Sequence, residues 1–361
     1  MATMHATLTK AGQLAWQDSR HLLLIAMLAL PVIGFLSGAS GKLSLLFLVV
    51  VAIIDALVGT RPGAARPRTW PAARQAWFSL FLYAYAVLQV ALLVWSLGVI
   101  AAKPSIEGAL WLGVSIGLIT SGFGITIAHE LGHRPGRFDR LLSQVLLITV
   151  CYGHFYVEHN RGHHARVGTP NDPASARLGE SFYAFYLRSV IGGFAHAWRL
   201  EALRLEAKGQ SAFSPANRNV VYVAAQLALC AIAFGLAGVE GALFFLFQSV
   251  VAFTLLELVN YVEHYGLTRQ RNADGRYEAV QAHHSWNSDT WFGNALLINL
   301  QRHSDHHADS SRPYEALRSI DSAPQLPTGY AGMILLALLP PLWFRLMDWR
   351  VRRAGGACQT G

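Results

Sequence analysis

"GALWLGVSIGLITSGFGITIAHELGH", residues 108–133, joins two features that rarely share one segment. From 109 to 128 no charge interrupts the run, which gives it the length that crosses a bilayer. The same stretch then delivers His129 and His133 at i and i+4. That spacing puts both imidazoles on one helix face, about 6 Å apart. A membrane span that ends in paired imidazoles predicts a metal site at one face of the membrane.

The rest of the chain agrees with a membrane reading. Of 361 residues, 53% are hydrophobic and 14% are charged, against roughly 25% charged in soluble domains. Six segments are long or apolar enough to span: about 21–38, 43–59, 77–101, 109–128, 219–239 and 241–260. Two weaker runs, 141–157 and 331–344, read as buried or interfacial helices. With the N-terminus inside, the segments 1–20, 60–76, 129–218 and 261–361 hold 27 of the 29 Lys and Arg residues. Only Lys42 and Lys103 fall in the other loops, as the positive-inside rule requires. The expected fold is therefore an all-α integral membrane protein. It has about six transmembrane helices, both termini cytoplasmic and a cytoplasmic histidine-rich cap. No repeat or flexible linker divides the chain, so one domain over 1–361 is expected, its cap formed by about 129–218 and 261–330.

Several classes are excluded at this level. The net charge of +8 comes from residues that form no aromatic-interleaved stripe, so nucleic acid is not an expected partner. The three cysteines, Cys151, Cys230 and Cys358, make no CxxC pair and no disulfide framework. About twenty mostly polar residues precede the first apolar segment, unlike a cleavable signal.

The histidines carry the chemistry. Besides His129 and His133, "EHNRGHH" supplies His159, His163 and His164, "NYVEHYG" supplies His264, and "HSDHH" supplies His303, His306 and His307. A structural zinc site closes with four ligands and a catalytic one with three. Nine clustered imidazoles exceed any mononuclear site, so two metals fit better. Imidazole suits iron, zinc, copper and nickel alike. Metal-bound histidines normally donate their other N–H to a carboxylate or carbonyl, and Glu130, Glu158, Asp172, Glu263 and Asp305 are interleaved with them. Asp55 and Glu257 lie within or at the end of spans, where an ionisable group is a functional candidate. "HELGH" also satisfies the zinc-protease HExxH pattern, but that reading leaves seven histidines unused. A metal transporter places its site near the bilayer midplane, whereas these ligands gather at one face.

"HELGHR", "EHNRGHH", "NYVEHYGLTRQ" followed by "HSWNSD", and "LQRHSDHH" together resemble the integral-membrane alkane 1-monooxygenases. These belong to the wider histidine-rich non-haem diiron group with fatty-acid desaturases and xylene monooxygenase. The likeness runs from the first span to "LPTGY" at 326–330. It implies two Fe ions held by the same nine histidines, which serve as metal and catalytic residues. It further implies O2 as oxidant and hydroxylation of the terminal methyl of medium- to long-chain n-alkanes, taken from the bilayer, to primary alcohols. Since no CxxCG pair, dinucleotide fingerprint or flavin site occurs, electrons must come from another protein. The family implies rubredoxin with its reductase, at the bacterial inner (plasma) membrane. Related activities on aryl methyl groups, terpenes or acyl chains share the same ligand pattern.

Some residues fall outside that set. His283 and His284, in "QAHHSWNSD", read as loop structure or as support for the ligands, and so does His154; His196 reads as an ordinary histidine. Phe47 and Trp95 are candidates for setting the length of a substrate tunnel. The basic loop "GTRPGAARPR", 59–68, departs from the family, where acidic residues and an Asn-Pro are commoner.

Overall fold

The computed structural model describes residues 20–60 and 71–355. The first nineteen residues, most of the basic loop after the second expected span, and Cys358 lie outside the described residues. Among the described residues there are helices, isolated β-bridges and connecting loops, with no β-strand.

Four helices are long and apolar enough to cross a membrane: Ser40–Val58, Arg74–Ala102, Ile106–His133 and Arg218–His264. A shorter apolar helix covers Leu22–Leu36. The chain is thus an all-helical integral membrane protein. Local chemistry sets the helix ends. Ser105 caps Ile106–Ile119 by accepting from the Gly108 N–H, and Asn217 caps Arg218–His264 by accepting from the Asn219 N–H.

The 47-residue helix Arg218–His264 is not one straight rod. Ala237 and Gly238 leave helical geometry, and Gly238 adopts φ 63°, a left-handed conformation that glycine tolerates. The break falls two residues before the point where the sequence divides 219–239 from 241–260.

Its second half packs on the Ile106–His133 helix. At Gly117 the backbones come so close that a Cβ would sit 2.6 Å from Val251 Cβ and 2.7 Å from the Gln248 carbonyl. Small residues permit such contacts between helices in lipid, where packing rather than water drives association. This contact holds the segment before His129 against the segment before His264.

The remaining elements pack around those helix ends. The run 141–157 forms the helix Arg137–Ile148 and the start of a short helix at Phe155–Glu158. The run 331–344 falls in two helices, Tyr330–Ala337 and Pro340–Arg353. Asp55, on Ser40–Val58, ties a span to the distant loops: its Oδ1 accepts the Gly293 N–H at 3.1 Å. Glu257 accepts from the Tyr152 hydroxyl at 2.7 Å. Asp55 braces its helix against Trp291–Leu296, and Glu257 ties Arg218–His264 to the turn that precedes Phe155–Glu158.

Candidate metal centre

Each histidine segment reaches the centre on its own element. His129 and His133 end the Thr126–His133 helix, which follows a π-helical turn at Thr120–Ile125. A second π-turn, His159–His163, carries two more histidines. Such turns insert an extra residue per turn and are frequent at functional sites. His264 closes Arg218–His264, and His303, His306 and His307 share the six-residue helix His303–Ala308.

These elements gather the nine imidazoles into two adjoining groups. His129, His133, His159, His164 and His306 form one, and His163, His264, His303 and His307 form the other. Within each group the available ligand atoms all lie within 4.8 Å of one another. His159 and His164 bring their Nε2 atoms to 3.0 Å, and His164 and His306 to 3.2 Å. In the second group His264 and His303 approach to 3.2 Å, and His163 and His307 to 3.3 Å. The His164 and His307 rings stack at 4.6 Å where the groups meet.

The donor sets fit metal ions. Imidazole nitrogens each about 2.0–2.1 Å from a shared ion lie roughly 3–4 Å apart, as these do. Buried Nε2 atoms of His129 and His133 have no hydrogen-bond partner in the protein. Burial first, and then neighbouring imidazoles, push His159, His164, His303, His306 and His307 well below the ordinary histidine range. They are therefore neutral at physiological pH, the form that ligates metal. His163 differs. Burial lowers it, but the Asp172 carboxylate outweighs burial and raises it, while burial of Asp172 is outweighed in turn by His163.

The five interleaved carboxylates take different places. Asp172 accepts from His163 Nδ1 at 2.9 Å and from the Ser175 hydroxyl at 2.6 Å. Glu263 Oε2 lies 3.2 Å from His303 Nε2. Glu130 pairs with Arg134 at 2.9 Å. Asp305 receives Arg312 at 3.0 Å and Arg318 at 2.8 Å, anchoring the helix of three histidines rather than any one ring. Glu158 meets His196 Nδ1 at 3.1 Å. Burial, then Asp172, push the Glu158 carboxyl up to about 8. His196 is thereby a partner of the residue beside a ligand.

His283 and His284 lie near Glu278 in a third group. Its hydrogen bonds argue against a metal there. The Gln281 N–H donates to His284 Nδ1 at 3.0 Å, which leaves the ring proton on Nε2 facing Glu278 at 3.1 Å. Neither ring nitrogen keeps a free lone pair. His154 packs edge-on against Tyr152 and belongs to neither group.

A cavity of about 110 Å³ adjoins the metal centre. Leu30 from the short apolar helix and Phe47 and Leu48 from Ser40–Val58 line it, as do His129, His159 and His303. Phe47 is on its wall. Trp95 is not among the lining residues and packs edge-on against Phe35 at 5.7 Å. Asn260 and Tyr330 also line it. Neither stood out in the sequence, where Asn260 opens "NYVEHYG" and Tyr330 closes "LPTGY" without metal-ligand chemistry to mark them.

Two adjoining polyhistidine donor sets at the ends of membrane-length helices define a membrane protein with a dimetal-type site. The fatty acid desaturase family model matches residues 108–337, which contain all nine histidines. Alkane 1-monooxygenase 2 of Pseudomonas aeruginosa is 42% identical over 362 residues, covering 97% of this chain and 96% of that protein. Alkane 1-monooxygenase 1 of Alcanivorax borkumensis is 38% identical, covering 92% and 85% respectively. The xylene/toluene monooxygenase hydroxylase component of Pseudomonas putida is 31% identical over 64% of this chain and 62% of its own length. The chain belongs to the alkane 1-monooxygenase family.

Proposed function

We propose that this protein hydroxylates the terminal methyl of medium- to long-chain n-alkanes, using O2 and two external electrons, and releases primary alcohols. The observation that carries this reading is the cavity, whose wall combines membrane-helix side chains such as Leu30 and Phe47 with His129, His159 and His303. An alkane has no polar handle. Each CH2 buried on an apolar wall contributes about 0.8 kcal/mol, so Phe47, Leu48, Val51, Leu255 and Leu296 are sufficient to bind a chain and align its end.

Two iron ions are the metals of this reading. His129, His133, His159, His164 and His306 would hold one, and His163, His264, His303 and His307 the other. When bound, the pair supplies the activation of O2. The protein's own part is to keep imidazoles such as His159, His164, His303, His306 and His307 neutral, to fix His163 through Asp172, and to keep the cavity around His129, His159 and His303 largely apolar. Water is thereby disfavoured next to the reacting methyl.

The topology of this reading has six spans. Leu22–Leu36, Ser40–Val58, Arg74–Ala102 and Ile106–His133 supply four, and Arg218–His264, broken at Ala237 and Gly238, supplies two. The placement of Lys and Arg supports cytoplasmic termini and a cytoplasmic cap at the bacterial inner membrane. Because spans and cap line the same cavity, 1–361 acts as one domain. Electrons come from rubredoxin with its reductase, steered to the basic cytoplasmic face by charge.

The test supplies the purified protein with rubredoxin, reductase and NADH, and offers octane, dodecane, hexadecane and p-xylene in parallel. Primary alkanols are expected as the main products. Exclusive oxidation of p-xylene would favour a hydroxylase of aryl methyl groups instead, the alternative to which the name of the xylene/toluene monooxygenase relative points.

A further inference from the structure

A second cavity, of about 310 Å³, opens between two loops at the helix ends remote from the metal centre. One loop joins the short helix Leu22–Leu36 to Ser40–Val58, and the other joins Arg74–Ala102 to Ile106–His133. The last of these helices starts beside the cavity and carries His129 and His133 at its far end. Roughly 35 Å of helix separates the two sites at 1.5 Å per residue. That length exceeds the hydrocarbon core of a bilayer, so the cavity lies at headgroup depth on the membrane face opposite the metal centre.

Lys42 and Lys103 both line this cavity, and they are the two cationic residues that the positive-inside pattern leaves on that face. Lys42 stands in the first turn of Ser40–Val58 and holds its amine 5.6 Å from the Trp111 ring centroid. Gly41 packs closely on Trp111. A Cβ there would lie 2.5 Å from the Trp111 carbonyl oxygen and 3.0 Å from its ring, so the indole is fixed beside the amine. Among the described residues neither lysine has a carboxylate within 4.0 Å. Glu107 also lines the cavity, and two lysines against one glutamate leave one positive charge uncompensated. The backbone adds donors. Ser40 takes φ 40° after the right-handed Ala39, and the N–H groups of Ala39, Ser40 and Gly41 find no backbone acceptor among the described residues. Turns of this alternating hand form concavities that accept anions.

The rest of the wall is apolar. Phe35, Val99, Ile100 and Leu112 form it, Trp95 backs Phe35 edge-on at 5.7 Å, and the neighbouring Leu36 is 77% exposed. A small soluble anion meets the charge and leaves this wall uncovered. An alkyl chain covers the wall and leaves the charge. A phospholipid meets both: its phosphate oxygens accept from the two amines, and its glycerol and first methylenes lie on the apolar side. One phosphodiester carries the single negative charge that the cavity lacks. A zwitterionic headgroup brings its own cation and leaves the imbalance in place.

We propose that Lys42, Lys103 and Trp111 form a binding site for the phosphate of an anionic phospholipid, in the leaflet opposite the metal centre. The bound lipid bridges the loop between the first two helices and the loop that precedes Ile106–His133. The site rests on the membrane placement of these helices and does not depend on which substrate the metal centre oxidises.

Lipid binding tests this without turnover. The metal-loaded full-length protein is delipidated in dodecyl maltoside and titrated with dioleoyl-phosphatidylglycerol, and bound copies are counted by native mass spectrometry. The wild type should bind one copy more tightly than any that follow. Lys42→Gln and Lys103→Gln should each weaken that first copy roughly fivefold, and the double variant should weaken it further. Lys208→Gln, which removes an exposed lysine just beyond Phe182–Glu206, should leave it unchanged. In competition on the wild type, dioleoyl-phosphatidylethanolamine should displace the first copy less well than phosphatidylglycerol itself, and dioleoylglycerol, which lacks the phosphate, should not displace it. Unchanged binding in the double variant would overturn the site, as would a loss in Lys208→Gln equal to that in Lys42→Gln. Inorganic phosphate that competes as well as the lipid would assign the cavity to a free anion and overturn the lipid as its occupant. Equal competition by all three lipids in the wild type would overturn the proposal even where a variant fails to fold.

Discussion

His163 turns one ring nitrogen to Asp172 at 2.9 Å and the other to His307 Nε2 at 3.3 Å. A single imidazole is thus clamped from behind by a carboxylate while its free edge faces the metal centre. The Ser175 hydroxyl and the Ala174 N–H hold that carboxylate in place. Asp172→Asn keeps the shape and removes the charge. Metal affinity at the four-histidine group should fall about 10- to 100-fold, measured as metal retained after dialysis against graded chelator.

The two donor groups separate the nine histidines from the other six in a way that mutation can read. His264→Ala should lower bound iron and abolish turnover. His284→Ala should retain iron, because its ring nitrogens are already occupied by Gln281 and Glu278. Elemental analysis of the purified variants decides between these outcomes.

Phe47 is on the cavity wall and Trp95 is not, although both looked suitable as length-setting aromatics. Phe47→Ala should shift preference toward longer alkanes. Each CH2 newly accommodated is worth about 0.8 kcal/mol, or roughly fourfold in relative binding. Trp95→Ala should leave the chain-length profile in place. Competition among C8 to C16 alkanes, read as alkanol products, measures both.

Much of the centre was legible because helical spacing is a local property. His129 with His133, and His303 with His306 and His307, declare one helix face within five residues. The partition of nine ligands into five and four was not legible, since His163 and His164 are adjacent in sequence yet join different groups. That split depends on the π-turn at His159–His163, which no periodicity announces. Carboxylate roles were equally hidden. Asp305 sits between ligands in sequence, yet the guanidiniums of Arg312 and Arg318 reach it from the following loop. The break at Ala237 and Gly238 was nearly legible, displaced by two residues because hydropathy hardly changes across it while backbone geometry does.

Glu201 gives the account a pH dependence away from the metals. It is fully buried and binds Arg161 at 2.8 Å and Arg204 at 2.6 Å. Burial would raise its carboxyl, but the Arg204 hydrogen bond and the Arg218 N–H prevail and hold it below the ordinary value of 4.5. A depressed folded-state value contributes stability above pH 4.5 that is lost as pH falls through the folded value. Thermal unfolding in detergent should show the wild type losing stability below that point. Glu201→Gln should be several degrees less stable at pH 7 and less sensitive to acid.

The most direct test of the account supplies the purified protein with rubredoxin, reductase, NADH and dodecane under 18O2 and analyses the products by mass spectrometry. The account predicts 1-dodecanol carrying one atom of 18O. Absence of 1-dodecanol with functional electron donors, or 1-dodecanol whose oxygen comes from water, would contradict it.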